Sequence, residues 1–191
     1  MESRIPRLVR SGHGAQLMVD DRPFLILGGE LGNSTASSLE EMERHWPRLA
    51  SIGLNTVLAP VYWELVEPEE EAFDFSLVDG LIEGAREHGL RLVLLWFGSW
   101  KNCMSCYAPA WVKLDTRRFP RARTSSGRPL EMLSAFHEEN AAADARAFAA
   151  LMRHLREVDG ERHTVIMVQV ENEIGMIPEA RDHSETADCL Y

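Results

Sequence analysis

The feature that most constrains the fold of this chain is a short phrase that occurs twice. Residues 53–58 read GLNTVL and residues 89–94 read GLRLVL, a spacing of 36 positions. In each copy a glycine follows an amphipathic helical pattern and precedes a run of β-branched and apolar residues. A helix that ends at glycine before a buried strand is half of a strand–helix unit. The repeat therefore predicts successive βα units around a parallel sheet.

The rest of the sequence extends this pattern to four strands and three intervening helices. A hairpin of residues 15–19 and 23–27 is expected first. Its second arm is the first strand of the pattern, and the glycine-rich residues 28–30 follow it. Ser38 and Glu41 form a capping box at the start of a helix that ends at Gly53, and Pro47 either kinks this helix or begins a second helical segment. Further helices are expected from Ser76 to Gly89 and over about residues 138–158. A long excursion separates the third strand from the last of these helices.

Two architectures are built from such units, a doubly wound sheet and a (β/α)₈ barrel. No strand is followed by a G-x-G-x-x-G or Walker-type loop, which favours the barrel. Barrels of this kind typically need about 250 residues, and this chain ends soon after its fourth strand. We therefore expect residues 1–191 to form the first half of one TIM (β/α)₈-barrel domain, an α/β fold preceded by a short hairpin, with strands five to eight not present.

The composition of the chain limits the classes of partner that we expect for the protein. The chain has 191 residues, a formal net charge of −10 and a pI near 5.2. Nucleic acids and anionic membrane surfaces reward clustered Lys and Arg, so neither is an expected partner. The first residues show no signal peptide and no run spans a bilayer, which predicts a cytoplasmic protein, or a secreted or periplasmic one if translation starts upstream.

The three cysteines predict free thiols. Cys103 and Cys106 have half the spacing of a structural zinc site, but no second cysteine or histidine pair accompanies them. Three cysteines are also too few for a disulfide framework. We expect neither a metal nor a cofactor.

The fourth strand ends in an unusual way. Residues 164–170 read as a strand buried on both faces, and Glu171, Asn172 and Glu173 follow at once. The carboxyl ends of barrel strands carry the catalytic groups of such enzymes. Strand alternation places Asn172 on the side opposite to the two glutamates, so we expect the strand to bend or end at this point.

These residues, together with others along the chain, resemble the β-galactosidases of glycoside hydrolase family 35. The most specific part is Gln-Val-Glu-Asn-Glu at residues 169–173, and its Asn-Glu pair recurs among related barrel glycosidases. The other matching phrases are WPRL at 46–49, GLNTV at 53–57, YW at 62–63, EP at 67–68, FDF at 73–75, Gly98 and PAW at 109–111.

The resemblance implies a retaining exo-glycosidase that acts on terminal β-D-galactosides, with small-molecule or oligosaccharide substrates. Glu173 matches the acid/base residue, and Asn172 matches the residue that holds the sugar 2-hydroxyl. Residues at or near the strand exits are candidate substrate contacts: Glu30, Tyr62, Trp63, Trp100, Asn102 and Glu171. For Glu171, support of the neighbouring residues is favoured over a reactive role.

Two alternatives remain open at this stage. In the resembling family the nucleophile glutamate comes from the seventh strand, which lies beyond this chain. The first alternative is that the chain alone is a non-catalytic carbohydrate-binding half-module. The unpaired strand edges of such a half barrel predict self-association. Another kind of barrel enzyme, such as an aldolase or a phosphate-binding isomerase, is disfavoured because no strand-end lysine or phosphate-binding loop is apparent.

Overall fold

The structure is a computed structural model that describes residues 5–177 and 179–191. The chain forms two compact units. The first consists of residues up to Pro60, Ser76–Leu95 and Arg153–Gln169, and the second of Val61–Phe75, Trp96–Met152 and Val170–Tyr191. Several strands and one helix therefore contribute their two ends to different units.

The first unit begins with an antiparallel sheet of three strands. Strand β2 (Gly14–Val19) pairs on one side with β1 (Arg7–Ser11) and on the other with β3 (Arg22–Pro23). The predicted hairpin around residues 20–21 is confirmed, although its second arm is shorter than predicted. Both turn residues, Asp20 and Asp21, have positive φ angles of 52° and 60°, as two-residue hairpin turns require.

The parallel sheet has four strands in the order β4-β5-β6-β9. They are β4 (Gly28–Glu30), β5 (Thr56–Tyr62), β6 (Arg91–Phe97) and β9 (Val165–Val170). The repeated phrase leads into β5 and β6, as predicted, and its glycines Gly53 and Gly89 have φ of +83° and +66°. Such left-handed angles favour glycine where a helix ends.

One prediction about the fourth strand is wrong. Strand β9 is not buried on both faces, because Met167 is 43% exposed and Val170 is 60% exposed. The physical reason is its place in the sheet: β9 is the last strand in the order of the described residues. Its hydrophobic sequence suits a central strand, whereas its position here is that of an edge.

The helices of the first unit follow the predicted boundaries closely. Helix α1 (Leu39–Ser51) begins after Ser38, whose Oγ accepts a hydrogen bond from the Glu41 N–H at 3.2 Å. A 3₁₀ turn (Thr35–Ser37) precedes it, and Pro47 lies inside it without splitting it. Helix α3 (Ser76–Glu87) packs against α1. Helix α5 (Glu138–Asp159) confirms the third predicted helix, and its last residues belong to this unit.

The second unit contains the long excursion, which is structured. It holds the short helices α2 (Trp63–Val66) and α4 (Ala110–Leu114) and the antiparallel pair β7 (Arg121–Arg123) and β8 (Pro129–Leu133). It ends with helix α6 (Glu185–Leu190). No helix in the described part of the chain is long and apolar enough to cross a membrane.

Replacing Gly84 by Ala tests the close contact of α1 with α3. A Cβ at Gly84 would lie within van der Waals overlap of the buried Trp46 indole, so we expect a loss of about 1–3 kcal/mol in the free energy of unfolding. Gly80→Ala is the matched control on the same helix, because its Cβ meets only the movable end of the half-exposed Leu39. Thermal melts should show a lower Tm for Gly84→Ala alone; equal Tm values contradict this packing.

Candidate active site

The chain bends sharply where β9 ends, which confirms the predicted irregularity. Regular strand geometry stops at Val170, and Glu171 and Glu173 have positive φ angles of 62° and 49°. Left-handed backbone at residues with a side chain costs free energy and persists only when neighbouring groups hold it. The bend allows Asn172 and Glu173 to leave the alternation of the strand.

Backbone hydrogen bonds fix the bend from the loop that follows β6. The Asn172 N–H donates to the Trp100 carbonyl oxygen at 3.3 Å, and the Cys103 N–H donates to the Glu173 carbonyl oxygen at 3.2 Å. The two residues expected to be catalytic are therefore anchored to a loop about 70 positions away in sequence. All these residues belong to the second unit.

The Glu171 carboxyl is the centre of the hydrogen bonds that hold this loop. Its Oε2 accepts from the Trp100 N–H at 2.8 Å, and its Oε1 accepts from the Ser99 N–H at 3.2 Å. The Asp144 side chain, from α5, hydrogen-bonds to the same carboxyl. Two carboxyl groups in contact in a buried place disfavour each other's charged form. Burial first, and then Asp144, raise the pKa of Glu171 to about 10.

Asp144 has further partners that keep it beside Glu171. Its Oδ1 accepts from the Trp96 indole N–H at 2.8 Å, and its Oδ2 accepts from the Ser99 N–H at 2.7 Å. A Cβ at Gly98 would lie 2.6 Å from Asp144 Oδ1 and from Glu171 Oε1. Glycine is therefore required at residue 98 for the two carboxyls to approach the loop backbone. Burial and the neighbouring Asp144 side chain thus favour the neutral form of Glu171.

Lys101 orients the Asn172 side chain. The Lys101 ammonium nitrogen lies 2.8 Å from Asn172 Oδ1 and 4.7 Å from the centroid of the Phe97 ring. Only 6% of the lysine is exposed. Among the described residues no carboxylate forms an ion pair with it. A buried ammonium held by an amide oxygen and an aromatic face is a strongly directed donor.

The environments of Asn172 and Glu173 differ from that of Glu171. Asn172 is half-buried and the Glu173 side chain is exposed. A cavity of about 310 Å³ lies beside the carboxyl groups of Glu171 and Asp144 and is lined in part by Trp100, Leu133 and Phe148. Neither Asn172 nor Glu173 lines it. Glu173 is thus open to an incoming molecule. The cavity gives the pair of carboxyl groups of Glu171 and Asp144, called the acid pair below, an apolar neighbourhood on one side.

The structure brings some of the predicted site residues together. Trp100, Glu171, Asn172 and Glu173 are joined by the contacts described above, and Asn102 is exposed at the tip of the adjoining turn with φ of +52°. Glu30 is exposed at the end of β4 in the first unit. Its role stays a prediction.

Tyr62 and Trp63 have mainly structural surroundings. Tyr62 is buried against the rings of Phe97 and Tyr107, at centroid distances of 5.9 and 5.2 Å. Trp63 has no exposed surface, and its indole N–H donates to the buried carboxylate of Glu67 at 2.8 Å. Trp63, a predicted substrate contact, therefore offers no accessible ring face to a sugar in this structure, because its side chain is fully buried.

Two residues of the site, Asp144 and Lys101, are absent from the sequence-based prediction. Asp144 lies on the buried side of α5 with Ala143, Ala147 and Leu151. An acidic residue on the same helical face as several alanines is a pattern that could reveal Asp144 from the sequence. Lys101 shows no comparable pattern, since its burial depends on the tertiary fold of its loop.

The arrangement offers acid–base chemistry. Among the described residues no group of three or more His, Cys, Asp or Glu side chains could hold a metal ion. All three cysteines are free, as predicted. What the site presents is an exposed carboxyl beside an amide whose orientation is fixed, on a rigid bend. A carboxyl so placed is suited to transfer a proton to and from a bound molecule.

Comparison with known proteins identifies the family. Residues 35–191 match the profile of glycoside hydrolase family 42, described as Beta-galactosidase, so the chain belongs to this family. A Beta-galactosidase from Xanthomonas manihotis is 32% identical over 181 residues, which cover 92% of this chain and 27% of the relative. The chain spans only about a quarter of the length of the relatives it matches.

Solved structures show the same fold. Gan42B, a GH42 beta-galactosidase from G. stearothermophilus, matches with a TM-score of 0.63 and 20% identity over 85% of this chain and 22% of its own. A beta-galactosidase from the psychrophilic Marinomonas ef1 matches with a TM-score of 0.57 and 16% identity, over 85% of this chain and 24% of its own. The predicted α/β fold with a parallel sheet is thereby confirmed as part of a barrel.

The predicted family number is wrong, since the chain belongs to family 42 and not to family 35. The reason lies in the motif that suggested it. An Asn-Glu pair after a fourth strand recurs among related barrel glycosidases, so it indicates the wider group and leaves the family open. The prediction of a β-galactosidase family of glycosidases is confirmed.

Glu171→Gln tests the acid pair through the pH dependence of stability. The folded protein holds a proton on Glu171 that the unfolded chain releases above the ordinary pKa of 4.5, so the free energy of unfolding should fall as pH rises from there toward about 10. Glutamine mimics the protonated acid, and we expect denaturant titrations between these pH values to show a flatter profile. Glu157→Gln, at an exposed site, is the control; an unchanged slope in Glu171→Gln contradicts the pair.

Proposed function

We propose that the protein is a retaining exo-glycosidase that hydrolyses terminal β-D-galactosides. In this proposal the chain supplies the first four βα units of one catalytic (β/α)₈ barrel and the acid/base half of its active site. The observation that carries it is the placement of Asn172 and Glu173, side by side on a fixed bend at the end of the fourth parallel strand. Family membership and the printed names of the relatives support the same activity.

The proposed chemistry assigns different roles to the two neighbouring glutamates. Glu173 protonates the glycosidic oxygen as it leaves and then activates water for the second step. Glu171 keeps its proton and holds the bend, so it takes no part in the transfer. A retaining mechanism also needs a nucleophilic carboxylate about 5–5.5 Å from the acid. We assign that carboxylate to a part of the protein outside this chain.

Substrate contacts are proposed on the loop after β6 and on the bend. Asn172 binds the 2-hydroxyl of the sugar, and Asn102, exposed on the turn beside Glu173, is placed to contact the same molecule. Trp100 is 8% exposed and contributes mainly through its backbone, which holds Glu171 and Asn172. An oligosaccharide with a terminal galactose is the substrate class that fits these assignments.

Glu173→Gln tests the proposed acid/base role in the longest form of the protein that the gene encodes. We expect kcat/KM on methyl β-galactoside to fall by about 10²–10⁴-fold, because the leaving methoxide needs a proton. With a dinitrophenyl galactoside the glycosidic bond breaks without protonation of the leaving group. The rate of this bond-breaking step should therefore fall much less in Glu173→Gln. Glu179→Gln is the control. Normal turnover of methyl β-galactoside by Glu173→Gln would contradict the assignment.

Calorimetry with the non-hydrolysable isopropyl β-thiogalactoside separates this proposal from the non-catalytic alternative. Binding together with turnover of the methyl galactoside supports a glycosidase. Binding without turnover by the longest form of the protein supports a carbohydrate-binding module instead.

The exposed edge of β9 is proposed as the side on which the fifth strand of the barrel pairs. In the chain by itself, this apolar edge should associate with other copies, since unpaired strands template pairing. We expect sedimentation to show dimers or larger species, and Met167→Lys to reduce them. Met152→Lys, at an exposed position on α5, is the control. A monodisperse monomer contradicts the proposed edge.

A further inference from the structure

The turn of residues 101–104 contacts both residues of the proposed catalytic pair. Lys101 and Met104 form a tight antiparallel bridge, with backbone N···O distances of 2.8 and 3.0 Å. The two residues between them, Asn102 and Cys103, have φ of +52° and +59°, which is the geometry of a narrow hairpin turn. From this turn the Lys101 side chain reaches Asn172, while the Cys103 N–H reaches the backbone of Glu173.

The contact between Lys101 and Asn172 settles the orientation of the amide. An ammonium group has three hydrogen-bond donors and no acceptor. The Asn172 atom at 2.8 Å from it must therefore be the oxygen Oδ1, and the NH₂ group points the other way. The described residues place no acceptor on that NH₂ group. A donor that is oriented and unoccupied is suited to a hydroxyl oxygen of a sugar.

The surroundings of Lys101 make the orientation firm. The residue is 6% exposed and its ammonium lies over the Phe97 ring. Removing the cation would leave the Asn172 amide free to turn by half a revolution and to present its oxygen where the donor now stands. The site would then offer an acceptor to the substrate in place of a donor.

We propose that Lys101 is a positioning residue that fixes the Asn172 amide with its NH₂ group directed at the 2-hydroxyl of the bound galactoside. The substrate part of this inference rests on the proposed function. The contact between the two side chains is independent of it. Lys101 thus acts through Asn172, and its effect should be specific for substrates that carry a 2-hydroxyl.

Two substrates that differ by one hydroxyl test the proposal. With the longest form of the protein, we expect Lys101→Met to lower kcat/KM on an aryl β-galactoside by about 10- to 100-fold, the range for leaving one buried polar group without its hydrogen-bond partner. On the 2-deoxy analogue the loss should stay below about threefold, because the hydroxyl is already missing. Equal losses on the two substrates overturn the proposal. Lys101→Arg, which keeps a cationic donor, should restore part of the difference.

The chain offers a matched control and a readout without activity. Lysine occurs only at positions 101 and 113. Lys113 binds Glu64 and the Cys106 carbonyl oxygen. Lys113→Met should therefore leave unchanged the ratio of kcat/KM on the aryl β-galactoside to kcat/KM on its 2-deoxy analogue. With ¹⁵Nζ-labelled lysine, Asn172→Ala should shift the ammonium resonance of Lys101 and leave that of Lys113 in place. An unshifted Lys101 resonance overturns the contact. No turnover by the unaltered protein contradicts the proposed function, and the resonance then decides the Lys101 contact by itself.

Discussion

The site depends on the contact between two buried carboxyl groups that hold the same loop. Glu171 and Asp144 come from different elements, and both accept hydrogen bonds from the Ser99 N–H. Burial and Asp144 raise the pKa of Glu171, because two charged carboxylates would repel each other in a buried place. The neutral form of Glu171 can hold the loop after β6 against the end of β9. The unfavourable left-handed backbone at Glu171 is sustained by these bonds. The positions of Asn172 and Glu173 follow from that bend.

The two glutamates on the bend illustrate how environment assigns chemistry. Glu171 is turned toward α5 and the apolar cavity, where burial favours its neutral form. Glu173, two residues later, is exposed. Carboxyls of the same type can therefore take separate tasks, and the proposed function assigns Glu171 to hydrogen bonding and Glu173 to proton exchange. The sequence Glu-Asn-Glu contains both tasks within three positions.

Much of the fold could be predicted from local patterns. The ends of the helices at Gly53 and Gly89, the cap at Ser38 and the extent of α5 depend on residues close in sequence, and all were predicted. The exposure of β9 could not be predicted, because a hydrophobic run in the sequence does not reveal whether a neighbouring strand is present. The bend after Val170 was expected from side-chain alternation alone.

The candidate site was predictable only in part. Asn172 and Glu173 are predicted from their motif, and their catalytic roles stay predictions. The residues that hold them in place come from far along the chain. Lys101 is 71 positions from Asn172, and Asp144 is 45 positions from Ser99. Such pairs are created by tertiary packing and leave no periodic pattern in a single sequence. The family number was missed for a related reason, since the motif is shared among glycosidases with the same barrel.

The most direct test is a crystal structure of the longest form of the protein with isopropyl β-thiogalactoside bound. The account predicts that a carboxyl oxygen of Glu173 lies within hydrogen-bond reach of the glycosidic sulfur, about 3–3.5 Å, and that Asn172 Nδ2 donates to the sugar 2-hydroxyl. A galactoside bound at another place, with Glu173 in contact with solvent alone, would contradict it.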